Sequence, residues 1–264
     1  MKLTLITPDI EKYPAGLQPF LHNAAVYENS IGCSDASVIF IDKDNGYFIK
    51  SAQKGALERE AAMTKYFRGK NLSAGVLAYI SDEYDWMLTE KINGDDFSAS
   101  KYLEQPEKLC DIFAEKLAML HSLDFSDCPI DHTKTYLETA EQNFHTGNYD
   151  KSHFPDSWGY ASAEEAYHVI KTRGHLLETN TLLHGDYCLP NIIFDDWEFS
   201  GFIDLGSAGT GDPHIDLFWG AWTLNRNLKT DKYRERFFDV YGRKKIDEER
   251  FKIIAAAEVF EEML

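Results

Sequence analysis

Hydrophobic positions change their period about a third of the way along the chain. In the first third they alternate or form short runs. Ser37 to Asp42 reads as a strand, Lys43-Asp44-Asn45-Gly46 carries the Asn-Gly turn signal, and Tyr47 to Lys50 returns as the second arm of a hairpin. Val76 to Ile80, a polar turn over 82–85, and Trp86 to Thr89 repeat the pattern. Between the hairpins, Leu57, Ala61, Met63, Tyr66 and Phe67 fall at roughly helical intervals and stop at Gly69.

After Ile92-Asn93-Gly94 the period becomes helical: Leu109, Ile112, Phe113, Leu117 and Leu120 lie three and four apart on one face, with Pro106 suited to a first helical turn. Further helical patterns cover 133–144, 163–177, 216–228, 232–241 and 247–263. One hairpin pattern interrupts them, with arms Ile192 to Phe194 and Phe199 to Ile203 around a turn at 195–198. The expectation is an α+β chain: a small antiparallel-sheet lobe over 1–91, a mainly helical lobe over 92–264, and a ligand cleft where they join near Glu90 to Asn93.

A length of 264 residues, 44% hydrophobic and 27% charged, suits one large domain or two lobes. The formal charge of −17 disfavours nucleic acid and anionic lipid and favours small cations. Cys33, Cys110, Cys128 and Cys188 make no CxxC pair and no zinc-ligand spacing, so a reducing cytoplasm suits them. The apolar run Leu3 to Ile6 is too short for a signal peptide, and no stretch approaches membrane-spanning length.

The interrupting hairpin carries the chemistry. It follows His184-Gly185-Asp186-Tyr187-Cys188-Leu189-Pro190-Asn191 and leads into Ile203-Asp204-Leu205-Gly206. Four residues separate Asp186 from Asn191, the spacing of a kinase catalytic loop. Asp186 can accept or orient a substrate hydroxyl, while Asn191 and Asp204 offer oxygen ligands to Mg²⁺ on nucleotide phosphates. His184 is expected to support this loop by hydrogen bonding without being the base. His121 reads as structural, and Trp219 and Trp222 as core or cleft lining.

A nucleotide would also need a strand lysine and a helix carboxylate that orients it. Lys50 ends its strand, and both Glu58 and Glu60 lie on the next helix; periodicity does not choose between them. The segment Ser30 to Ser37 is neither GxGxxG nor GxxxxGK[ST], which argues against a P-loop NTPase.

Taken together, Tyr47-Phe48-Ile49-Lys50, Leu57-Glu58-Arg59-Glu60, Leu120-His121-Ser122, Ser126-Asp127-Cys128-Pro129, HGDYCLPNI from His184, SGFIDLG from Ser200 and the acidic end Glu261-Glu262-Met263-Leu264 resemble the aminoglycoside phosphotransferases, in particular the 3'-phosphotransferases. The resemblance spans almost the whole chain. It implies a protein-kinase-like fold and a cytoplasmic enzyme, monomeric or weakly dimeric. The enzyme would use ATP (GTP stays open) and Mg²⁺ to phosphorylate an aminoglycoside hydroxyl, most simply the 3'-hydroxyl. Streptomycin, a macrolide or choline stands as the alternative acceptor.

By the same resemblance, Asp186 is catalytic, Asn191 and Asp204 hold metal, and Lys50 pairs with Glu60. Ser34, Phe48, Thr89, Lys91 and Ile203 surround the nucleotide. Asp156, Glu261, Glu262 and the Leu264 carboxylate meet the drug's ammonium groups. The chain departs from the family in carrying Ser207 and Trp222 where arginines are usual.

Overall fold

The computed structural model describes residues 3–29, 36–150 and 158–260. It divides into two compact units. One is formed by the described residues up to Asp95 together with Ile192–Gly206, and the other by the described residues of Asp96–Asn191 and those from Ser207 to Phe260.

The first unit is built on a six-stranded antiparallel sheet. Its strands are β1 (Leu3–Ile6), β2 (Ala25–Asn29), β3 (Ser37–Asp42), β4 (Tyr47–Gln53), β5 (Val76–Ser81) and β6 (Tyr84–Glu90), in the order β1-β2-β3-β4-β6-β5. The β3–β4 turn is tight because Gly46 takes φ +93; a Cβ there would meet Phe40 at 2.9 Å. Side-chain alternation then sorts the sheet faces. Ile39, Ile41, Ile49 and Leu88 join Leu17 and Leu21 in one core, Leu21 closing the short helix α1 (Gln18–Leu21). On the other side, Met87 packs with Leu57 and Ala61 at and within helix α2 (Glu58–Gly69).

Asp85, expected in the β5–β6 turn, is instead a fully buried residue of β6. Its carboxylate accepts from the Leu57 amide at 2.9 Å and the Tyr79 hydroxyl at 2.9 Å, which fixes the start of α2. Burial favours its protonation, but hydrogen bonds from Ser81, from the Gly55 and Leu57 amides and from Tyr79 together hold its carboxyl below the usual range.

The hairpin Ile192–Asp195/Glu198–Phe202 belongs with this unit. Asp196 and Trp197 both have positive φ, as a two-residue primed turn demands. Phe202 donates to the Leu72 carbonyl at 2.7 Å and sets its ring edge-on to Phe67 of α2. The compact units therefore follow contacts and not a single cut near residue 91.

The second unit is helical: α3 (Ser100–Leu103), α4 (Pro106–His121), α5 (His132–Thr146), α6 (Ala163–Arg173), α7 (His214–Leu228), α8 (Tyr233–Gly242) and α9 (Glu248–Glu258). Local chemistry sets several ends. Asp131, Ser162 and Asp247 cap α5, α6 and α9 by accepting backbone amides, and Gly147 closes α5 at φ 71. Two helices are shorter than their patterns: α6 gives way at Gly174 to a tighter turn, and α9 is helical only to Glu258. The short ladder Thr181–Leu183/Gly209–Gly211 was not expected from the sequence. It leads directly into the His184 loop.

Candidate active site

In the first unit, three charged groups meet. Strand alternation turns Lys50 toward α2, where Glu60 is buried while Glu58 is exposed, so the structure selects Glu60. The Lys50 ammonium donates to Glu60 Oε2 at 2.7 Å and to Asp204 Oδ1 at 2.9 Å. Burial opposes its charge, but Asp204 and Glu60 prevail and raise its pKa above the ordinary lysine value. Burial likewise raises the Glu60 carboxyl, against the attraction of Lys50. Asp204 follows the hairpin in a left-handed conformation, φ 58, uncommon for a non-glycine residue and costly unless its surroundings enforce it.

The other expected nucleotide residues of this unit lie nearby in register. Phe48 of β4 is paired with Thr89 of β6, and the Phe48 ring packs against Phe40 at 5.2 Å. Ile203, directly before Asp204, is half-buried. The Lys91 amide is already engaged, donating to the Gly46 carbonyl at 3.0 Å. Ser34, Asp156, Glu261, Glu262 and Leu264 lie outside the described residues.

In the second unit, Asp186 and Asn191 form a pair. The Asn191 amide nitrogen donates to the Asp186 backbone carbonyl at 3.0 Å and to its carboxylate at 2.7 Å. That orientation reserves the Asn191 Oδ1 for another partner, and an amide oxygen suits a hard cation. Among the described residues no group of three or more His, Cys, Asp or Glu side chains could hold a metal. Asn191 Oδ1 in this unit and the Asp204 carboxylate in the first are each oxygen donors of the kind that binds magnesium when phosphate oxygens and water complete the shell.

The loop holding Asp186 is braced from below. Asp216, fully buried on α7, accepts from the amides of His184 at 2.8 Å and Gly185 at 2.7 Å. His121 Nε2 donates to the same carboxylate at 3.0 Å, and its Nδ1 accepts from the Tyr241 hydroxyl at 2.8 Å. Thr223 accepts from the Leu189 amide at 3.3 Å, while Tyr187 stacks on Phe113 and donates to its carbonyl at 2.7 Å. Gly185 has φ +85, and a Cβ there would fall 2.0 Å from the Ser207 carbonyl, so only glycine fits. His184 behaves as expected: it is buried, and its Nδ1 accepts from the Asp186 amide at 3.3 Å. The Cys188 thiol, buried beside Asp186, is pushed well above its ordinary pKa and is no nucleophile.

Asp216 is the functional residue that sequence reasoning passed over, having marked it only as a helix start. A signal existed: a lone carboxylate in the run Ile215-Asp216-Leu217-Phe218 needs a buried partner.

Residues 27–254 match the model of the phosphotransferase enzyme family, APH. The chain belongs to that family. This phosphotransferase is 50% identical over 254 residues, 96% of each chain, to a relative from Lactococcus lactis subsp. lactis (strain IL1403) named "Probable aminoglycoside 3'-phosphotransferase". It is 27% identical over 248 residues to the aminoglycoside 3'-phosphotransferase of Niallia circulans, covering 91% of this chain and 94% of that one. The phosphotransferase also shares its fold with the crystal structure of an aminoglycoside-3'-phosphotransferase of type VIII, at a TM-score of 0.77 with 23% identity, over 95% of this chain and 96% of that one. Its small antiparallel-sheet lobe and helical lobe are therefore those of the aminoglycoside phosphotransferase and protein-kinase-like fold expected from the sequence. No helix among the described residues is long and apolar enough to cross a membrane.

Proposed function

We propose that this phosphotransferase moves the γ-phosphoryl group of ATP onto a hydroxyl of an aminoglycoside antibiotic, with the 3'-hydroxyl as acceptor, and so confers resistance. The observation that carries the reading is the Asp186–Asn191 pair. A carboxylate held by its own loop's amide can take a hydroxyl proton while the amide oxygen stays free for a metal. The half-identical relative with a 3'-phosphotransferase name supports the acceptor.

In this reading Asp186 orients the attacking hydroxyl and accepts its proton as the new O–P bond forms and the bond to the β-phosphate oxygen breaks. Lys50, kept charged and aimed by Glu60, neutralises charge on the α and β phosphates. Its bond to Asp204 is exchanged when nucleotide arrives. Asn191 Oδ1 and Asp204 would be the protein ligands of magnesium, which when bound would neutralise charge on the phosphates. Phe48 and Ile203 hold the adenine, whose edge meets the linker at Thr89 and Lys91; the Lys91 amide must first give up Gly46. Asp156, Glu261, Glu262 and the Leu264 carboxylate complete the reading as partners for the drug's ammonium groups, and Ser34 as a phosphate contact.

ADP release from purified protein tests this across kanamycin, tobramycin (which lacks the 3'-hydroxyl), streptomycin, a macrolide and choline. Turnover of kanamycin without tobramycin is expected; turnover of streptomycin or choline alone would replace the acceptor. Asp186→Ala should lower kcat by roughly 10² to 10⁴-fold with nucleotide KM little changed.

A further inference from the structure

One face of α7 holds the 184–191 loop at two points. Asp216 takes the amides of His184 and Gly185 at the start of the loop. Thr223 lies seven residues later, two turns and about 10 Å along the same face, and takes the amide of Leu189 at 3.3 Å. Asp186 falls between the two points, and Asn191 two residues beyond the second.

Leu189 opens the single turn, Leu189–Asn191, that delivers Asn191. Its carbonyl accepts from the Phe97 amide at 3.1 Å. The Asn191 amide closes the turn on the Cys188 carbonyl at 3.0 Å, and the Cys188 amide bonds the Asp186 carbonyl at 2.8 Å. The fully buried Leu189 amide takes its acceptor from outside the loop, and that acceptor is the equally buried Thr223.

A threonine inside a helix commonly turns its hydroxyl back onto the carbonyl four residues earlier. Thr223 is aimed elsewhere. Its oxygen accepts from the Asn227 side-chain amide at 3.1 Å as well as from Leu189, and Asn227 is seated by a second bond to the Thr223 carbonyl at 2.8 Å. With both lone pairs of the oxygen engaged, its proton is left for the Cys188 sulfur on the loop. Valine has the same shape and would serve packing alone, without the cost of burying a hydroxyl.

We infer that Thr223, its hydroxyl aimed by Asn227, is a positioning residue for phosphoryl transfer: it fixes Leu189, and through the turn that follows it sets where the Asn191 amide holds the Asp186 carboxylate. The inference rests on the reading of the Asp186–Asn191 pair given above. Thr223 acts only through the loop, so its loss should misplace the reacting groups and leave substrate affinity alone.

Steady-state ADP release with kanamycin and MgATP each varied, together with amide hydrogen exchange over 184–194, tests it in wild type, Thr223→Val, Thr223→Ser and Asn227→Ala. Thr223→Val strands the Leu189 amide, so kcat should fall roughly 10- to 100-fold while both KM values stay within about twofold. Exchange of the Leu189 amide should quicken by about tenfold or more. Thr223→Ser should bring both readouts back to within about threefold of wild type. A role confined to packing would lower the melting temperature of Thr223→Val but leave kcat, measured well below that temperature, and Leu189 exchange unchanged; that result overturns the inference. Asn227 is only half-buried, so Asn227→Ala keeps the test open should Thr223→Val fail to fold. There kcat should drop about threefold or more at unchanged KM, and a wild-type kcat likewise overturns the inference. A wild type that turns over no aminoglycoside, with the expected exchange difference between it and Thr223→Val, overturns the acceptor reading and leaves the anchoring of the loop standing.

Discussion

A buried carboxylate that accepts three hydrogen bonds is costly to disturb, and Asp216 is that residue here. Asp216→Ala would strand the His184 and Gly185 amides and the His121 ring in a buried site. The expected loss is about 3–5 kcal/mol, the range for breaking a buried charged network. Thermal unfolding reads that loss, and kcat should fall with it because the Asp186 loop loses its floor. An unchanged melting temperature would show that the clamp contributes nothing. Such a residue was poorly legible in the sequence, since its partners lie 31, 32 and 95 positions away. Asp186, Asn191 and Asp204 stand out as candidates in the sequence because their spacing is local. Periodicity left Glu58 and Glu60 level; the resemblance named Glu60, and the packing of α2 on the sheet supplies the physical reason by burying Glu60 and exposing Glu58.

At the scale of elements, termini were readable wherever a side chain satisfies its own helix. Ser162 accepts from the Glu165 amide at 3.2 Å, and Glu165 reaches back to the Ala161 amide at 3.0 Å. Ser162→Ala should cost about 1 kcal/mol and lower the melting temperature by roughly 2–4 °C, with kcat untouched. A shift within error would mean that packing of Ala163, Ala166 and Ile170 alone sets the start of α6. The pattern overran the true ends of α6 and α9, because hydrophobic period continues past the point where Gly174 tightens the turn. Strand β1 escaped notice for the opposite reason. Leu3 and Leu5 are exposed, so their edge strand lacks a buried alternating face.

For the whole molecule, acid sensitivity follows from carboxylates held by partners. Burial favours protonation of Asp212, but hydrogen bonds from His214 and from the Glu178 and His214 amides hold its pKa below the ordinary value, and Arg250 pairs with it at 2.9 Å. Asp85 is lowered in the other unit. A depressed folded pKa gives stability that is present above the unfolded value, about 3.9, and lost as pH falls through the folded one. Urea midpoints should therefore hold from neutral pH down to about 5 and fall steeply below about 4. Asp212→Asn should be less stable at neutral pH and show a shallower acid limb; equal limbs in both proteins would remove Asp212 from the account.

The sequence by itself determined the two kinds of lobe, the hairpin between helices, and the local spacing that singles out Asp186, Asn191, Asp204 and Lys50 as site candidates. Each is written in period or spacing over a few residues, which backbone geometry converts directly into structure. Tertiary structure alone decided that the hairpin joins the sheet unit, that Asp85 and Asp216 are buried anchors, and that one face of α7 braces the loop. Those outcomes depend on contacts between segments distant in the chain, whose burial and hydrogen bonding no local pattern records.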